Sequence, residues 1–311
     1  MVSSIPTERK WGPGKAFSNL FFNRKRRAND TATGDAKPVP TTEPVLNRSP
    51  PRLPQYQDAY AARFKHRSMA EAYEGRPPYP DETFRILLGL PGVTGGSVLD
   101  VGCGTGRIAR SLVDHVAGVD AVDFSREMIR VGRSLDKGSH PKLNWILGRV
   151  EEVELKPGYS LVTAGASIHW MDWSVVFRKF HELLTPDGNV AIIEGDRPFN
   201  APWSDAEREL IRQYSTNRHY QQIDLIKVLV DRNHLLLAGD RRTVPVGFSQ
   251  TVDDYVASFH SRESMSREHM GDSKVRDFDA ELSRILADFS DDEGIIHFQL
   301  QTRVAWGRPL A

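Results

Sequence analysis

The sequence predicts an α/β fold, a doubly wound and mostly parallel sheet with helices on both faces. Three observations carry that reading. The strand-favouring run Val98-Leu-Asp-Val101 breaks into glycines at alternate positions, Gly102, Gly104 and Gly106. A second short strand, Val119-Asp-Ala-Val-Asp123, ends in a carboxylate about 20 residues past those glycines. Strand-like and helix-like segments then alternate as far as Glu194.

Glycine permits positive φ and lets a ligand approach where a Cβ would clash. Arg107-Ile-Ala-Arg-Ser-Leu-Val113 has apolar residues at helical spacing, so the loop opens a helix whose first N–H groups face whatever lies on the glycines. Strand, glycine loop and helix form the first half of a nucleotide-type site, and Asp123 stands where an acid meets ribose hydroxyls. Ser125 caps the next helix, which carries Met128 and Ile129. A nicotinamide oxidoreductase competes for this pattern, but its fingerprint wants the third glycine at the position of Arg107, one residue later than it falls here.

The later core elements follow in order. Leu143–Leu147 makes a third strand ending in Gly148-Arg-Val-Glu151, and Tyr159-Ser-Leu-Val-Thr-Ala-Gly165 a fourth, followed by His169 and Trp170. Val175, Val176, Phe180 and Leu183 form a helix stripe that stops at Pro186-Asp-Gly188, and Asn189–Glu194 is the fifth strand. In an open parallel sheet ligands bind outside the carboxyl ends of the strands, which aims His169 and Trp170 at the reaction zone.

The run 98–106 followed by Val122-Asp-Phe-Ser-Arg-Glu-Met-Ile129 resembles class I S-adenosylmethionine-dependent methyltransferases, a Rossmann-like fold, and within them the type 11 family with its trans-aconitate methyltransferase-like members. The resemblance implies S-adenosyl-L-methionine as cofactor, held by Asp100, Gly102, Gly104, Gly106, Asp123, Met128, Val150 and Glu151. It also implies an antiparallel last strand inserted beside the fifth. In relatives the place of Arg149 often holds an aspartate for the adenine amino group, so the Val150 backbone contact is the one that carries over. Tyr73, Arg76 and Tyr79 resemble a pre-core segment that folds over cofactor and substrate. DNA and RNA amino-methyltransferases carry Asn/Asp-Pro-Pro-aromatic where this chain has Gly165-Ala-Ser-Ile168, which argues against a nucleobase amine.

With 311 residues, no formal net charge and a pI near 7.2, nothing global steers the chain to nucleic acid. No apolar run reaches membrane-spanning length and no signal-peptide pattern opens the sequence, so a soluble, cytoplasmic protein is expected. The lone Cys103 has no disulfide partner and no metal-ligating neighbours, so no metal is expected. Residues 1–54, rich in proline and carrying Arg24-Lys-Arg-Arg27 beside Phe17, Leu20, Phe21 and Phe22, are expected to be a disordered tail. Residues 55–311 then hold the methyltransferase domain, with a cofactor half at 93–195 and a substrate-pocket segment at 196–275.

Beyond Gly195 the pattern loosens. Residues 206–214, 225–230 and 278–289 read as helices, Thr243-Val-Pro-Val-Gly-Phe248 as an edge strand, and Ile296 through Trp306 as one alternating strand. Tyr255–Arg267 mixes aromatic and basic residues, so Arg262 joins Tyr73, Arg76 and Trp170 as a candidate for the substrate, against a charge-laced surface helix as the plainer reading. The acceptor is expected to be a small molecule: a carboxylate needs only arginines to orient it, whereas a phenol, amine or carbon acid calls for a base, and His169 is the candidate. A non-catalytic cofactor-binding protein carries the same cofactor residues.

Overall fold

Residues 53–195 and 197–310 are described by a computed structural model, and all lie within one compact unit, Arg48–Ala311. Of the expected tail only Leu53 and Pro54 fall inside these bounds: Leu53 packs against the core and Pro54 opens a 3₁₀ turn. The aromatic and basic residues of 17–27 lie outside the described residues.

The chain opens with short helices α1 (Asp58–Ala61) and α2 (Arg67–Ala72), joined and followed by 3₁₀ turns, and then α3 (Asp81–Leu88). The alternating core follows: β1 (Ser97–Val101), α4 (Arg107–Leu112), β2 (Gly118–Asp123), α5 (Arg126–Ser134), β3 (Leu143–Leu147), β4 (Tyr159–Gly165), α6 (Trp173–Leu183) and β5 (Leu184–Glu194). After it come β6 (Pro198–Phe199), α7 (Ser204–Tyr214), α8 (Leu225–Asp231), β7 (Leu235–Arg242), β8 (Val246–Thr251), α9 (Val252–Ser258), α10 (Arg267–Met270), α11 (Asp272–Ala287), β9 (Ile295–Leu300) and β10 (Arg303–Pro309).

The main sheet has the order β3-β2-β1-β4-β5-β10-β7. β1 to β5 run parallel, and β10 is antiparallel to both β5 and β7, so the strand expected beside the fifth is there. Period-two alternation sorts each strand between two apolar layers. Leu99 and Val101 of β1 face the layer of α6 and α8, with Val176, Phe177, Phe180 and Leu229. Val98 faces the other, with Leu87 of α3 and Ile108 and Leu112 of α4. A third cluster, built on Trp203, Tyr255, Phe259 and Phe278, fills the space under the three-stranded sheet β6-β9-β8.

Two expectations are corrected. The alternating run Ile296–Trp306 is two strands in two sheets, because the chain crosses over at Gln301-Thr302, where Thr243 and Thr302 exchange hydrogen bonds. The burial period runs through the crossing, Ile296, Phe298 and Leu300 entering the third cluster and Val304 the α3 layer, so periodicity alone could not show the break. Pro245 lies in the connection between β7 and β8, and the strand begins after it, at Val246, where an N–H is again available for pairing.

Candidate functional site

Glycine conformation sets the site. Gly102 sits at φ +59°, and a Cβ there would meet the Cβ of Ser167 at 2.6 Å, so β1 and the turn after β4 approach as closely as they do only because the side chain is absent. Gly104, at φ +57°, instead has room for a Cβ, which would rest in ordinary contact on the Tyr73 ring at 3.7 Å. The loop is held by β2: both oxygens of Asp123 accept backbone N–H groups, from Gly104 at 2.8 Å and from Ser125 at 2.7 Å. Ser125 in turn caps α5 through Met128 N–H.

A cavity opens at the carboxyl ends of β1, β2, β3 and β4. Gly102, Gly104, Asp123, Met128, Val150 and Glu151 line it, as do Tyr73, Arg76 and Trp170. A carboxylate offers about four acceptor directions, and Asp123 spends two on the loop, leaving the cavity side for hydroxyl donors. Burial pushes its carboxyl up to about 6, against the pull of the two N–H donors. These features fit an adenosine ligand: a glycine cradle free of Cβ atoms, an acid with acceptor capacity to spare, and the apolar Val150, Val122 and Met128 beside it.

Four candidate residues stand elsewhere. Asp100 is buried beneath the loop, where it accepts the Ala109 N–H at 3.2 Å and the Thr163 hydroxyl at 2.8 Å and so ties α4 to β1 and β4. Burial raises its carboxyl to about 7. Gly106, φ +77°, packs on Trp145, whose ring would lie 2.5 Å from an added Cβ. His169 sits in an aromatic cluster, tilted against the Tyr56 ring at 4.5 Å and against Trp170 at 5.0 Å. Arg262 lies over the Phe259 ring at 4.2 Å. Its neighbours Phe259, His260, Ser261 and Met265 are buried, whereas Arg267 is exposed at the start of α10, so the surface-helix reading holds only at that end of the stretch.

Strapping of the pre-core segment was not legible in sequence. Arg107 donates to the carbonyls of Tyr73 at 2.9 Å, Pro77 at 2.9 Å and Glu74 at 3.1 Å, and Thr105 donates to Glu74 at 2.7 Å. The residue that occupies the third-glycine place of a dinucleotide fingerprint therefore clamps a lid over the loop. Arg76 lies over the Tyr73 ring at 4.5 Å and donates to Ser261 through Nε and Nη2, each at 2.7 Å. The remaining wall comes from Ala61, Phe64, Phe124 and Met171. Phe64 meets Trp170 edge to face, and the signal that could have marked it was its place in an aromatic, helix-forming run ahead of the core. Arg149 lines the cavity with its guanidinium drawn to Asp58 at 2.9 Å and Glu151 at 3.4 Å.

Comparison with known proteins agrees with this architecture. A family model described as "Methyltransferase domain" matches residues 98–188. Over 138 residues the chain is 33% identical to an uncharacterised methyltransferase of Mycobacterium tuberculosis, covering 44% of this chain and 54% of that one. Over 146 residues it is 30% identical to a malonyl-[acyl-carrier protein] O-methyltransferase of Acetivibrio thermocellus, covering 46% and 48%. The chain thus spans about half the length of the curated relatives it matches. A solved structure of a candidate type II methyltransferase from Anaeromyxobacter dehalogenans shares the fold, with a TM-score of 0.54 at 20% identity over 76% of this chain and 98% of that one. A methyltransferase domain model is thus seated on the very strands that build the cavity, in a sheet of this order, so residues 98–188 carry a methyltransferase domain on a Rossmann-like fold.

Proposed function

We propose that the chain transfers a methyl group to the carboxylate of a small molecule by in-line displacement within this cavity. The observation that carries the reading is the make-up of the wall: Arg76 is among its lining residues, while His169, the candidate base, is not and packs tilted against Tyr56. A carboxylate is already ionised at neutral pH and needs orientation rather than deprotonation, and a guanidinium fork supplies that orientation. The relative named as a malonyl-[acyl-carrier protein] O-methyltransferase carries an oxygen-directed activity in its name, in keeping with this choice.

S-adenosylmethionine supplies an electrophilic methyl on a sulfonium centre. In the proposed arrangement Asp123 accepts from ribose hydroxyls, the Val150 N–H meets the adenine ring, Met128 and Val122 pack on its faces, and the bare Gly102 and Gly104 admit the rest. Tyr73, Phe64 and Trp170 close the cavity against water, which strengthens the attraction between the charged reactants and removes solvent reorganisation from the barrier. Arg76, held by Ser261, fixes the angle of the acceptor.

Titration calorimetry with S-adenosylmethionine, S-adenosylhomocysteine and NADH tests the reading. Micromolar binding of the first two, lost in Asp123→Ala, supports it; binding of NADH alone overturns it.

A further inference from the structure

A second concavity lies beside the first, between α3 and the β7–β8 connection. Pro78, Tyr79, Pro80 and Ile86 form one side, Val246 and Phe248 the other. Val246 is 40% exposed and the nearby Val244 66%, so the groove presents apolar surface to water. Tyr79 stands between the two spaces: it lines the groove, and its hydroxyl lies 3.0 Å from the point a Cβ on Gly165 would occupy, while Gly165 lines the cofactor cavity.

Strand register gives the groove a direction and a length. Gly165 pairs with Ile193, Ile193 with Val304 and Val304 with Arg241, one row across four strands. Side chains in one row share a face, here the face covered by α3. Three interstrand steps of about 4.8 Å put Arg241 about 14 Å from Gly165. Charge is graded along that line. Asp81 opens α3 next to Pro80, at the Tyr79 end, and Arg85 follows one turn further on. The Glu82 carboxylate is spent on the Val244 N–H at 2.6 Å. Arg85 and Arg241 are both exposed, and among the described residues neither guanidinium has a hydrogen-bond or ion-pair partner.

We propose that this groove binds the far part of the acceptor, an elongated dianion whose apolar body lies on Pro78, Val246 and Phe248, with its second anionic group held by Arg85 and Arg241 and its reacting carboxylate delivered past Tyr79 to the cavity. The inference rests on the carboxylate reading above and adds the length and the second charge.

Dodecanedioate, an apolar chain with a carboxylate at each end, is the probe, and succinate the short control. Calorimetry on the full chain saturated with S-adenosylhomocysteine is expected to show dodecanedioate binding at least tenfold tighter than succinate. The double variant Arg85→Gln/Arg241→Gln is expected to weaken dodecanedioate at least tenfold and leave succinate unchanged; both side chains are at the surface, so folding is retained, and circular dichroism checks it. Val246→Trp, which fills the groove, should act in the same direction. Equal binding of the two acids, no binding of dodecanedioate, or unchanged affinity in both variants overturns the groove assignment. Failure of the wild-type chain to bind S-adenosylhomocysteine at all would instead overturn the function proposed above.

Discussion

The amide of Gly104 donates to Oδ2 of Asp123 at 2.8 Å, which makes the acid at the end of β2 a brace for the glycine loop as well as a cavity wall. One substitution there acts twice. Asp123→Ala leaves the Gly104 and Ser125 amides without their acceptor inside a buried site, a loss of about 1–3 kcal/mol of stability in addition to lost cofactor binding. Asp123→Asn keeps one carbonyl acceptor and should recover part of the stability without recovering affinity. Urea denaturation alongside calorimetry separates the two effects.

Ionisation of the same residue sets a pH limit. Its carboxyl is raised to about 6, so it takes up a proton as pH falls through that value and loses acceptor capacity toward the hydroxyls. S-adenosylhomocysteine affinity should be flat above pH 7 and decline below 6, and in Asp123→Asn it should be weak and flat. A wild-type affinity constant from pH 5 to 8 would contradict the assignment.

Asp100 predicts a stability slope of the opposite kind to the usual carboxylate. Its folded value near 7 lies above that of an unfolded aspartate, so between about pH 4 and 7 the native state holds the extra proton and stability declines as pH rises through the window. Asp100→Asn keeps an acceptor for Ala109 and a donor for Thr163 and carries no charge. Its melting temperature relative to wild type should therefore improve from pH 5 to 8, whereas Asp100→Ala should be destabilised throughout.

Arg107→Leu removes three hydrogen bonds to the carbonyls of Tyr73, Glu74 and Pro77 while leaving the glycine loop intact. Amide exchange in residues 73–79 should speed up, and S-adenosylhomocysteine should dissociate about tenfold faster, with the core strands as protected as before.

Gly106→Ala tests a glycine that the site does not touch. The added methyl carries both an unfavourable φ and a 2.5 Å overlap with the Trp145 ring, so a loss of about 2–4 kcal/mol is expected in urea denaturation. Gly104→Ala, whose methyl meets the Tyr73 ring without overlap, should cost about 1–2 kcal/mol and act mainly on cofactor affinity.

What could be read from sequence depended on how local the signal was. β1, its glycine loop and the acid at the end of β2 are each marked by local signals, and the structure sets Gly102, Gly104 and Asp123 around one space, whereas the bond by which Asp123 braces Gly104 shows only in the fold. Asp100 and Gly106 share that motif yet face inward, Asp100 on the alternating strand β1 and Gly106 at the start of α4, and only the three-dimensional neighbour, Ala109 or Trp145, shows which way each turns. β7 escaped because its side chains are mostly exposed on a sheet edge, with Leu236 59% accessible, so no buried period marks it. Tyr60, Phe64, Met69, Ala72 and Tyr73 suggest one or two short helices ahead of the core, and α1 and α2 are there, but their pattern does not show that Ala61, Phe64 and Tyr73 belong to the wall.

The seat of β10 between β5 and β7 also orders events during synthesis. Until Arg303–Pro309 has been made, β7 has no neighbour in the main sheet and β5 presents the unpaired edge that β10 will take. Through that interval the nascent chain displays a sticky, half-built sheet, and a chaperone or a slow stretch of translation before β10 decides how much of it is lost to aggregation. Substitutions in β10 should accordingly lower soluble yield more than their effect on the finished protein would suggest.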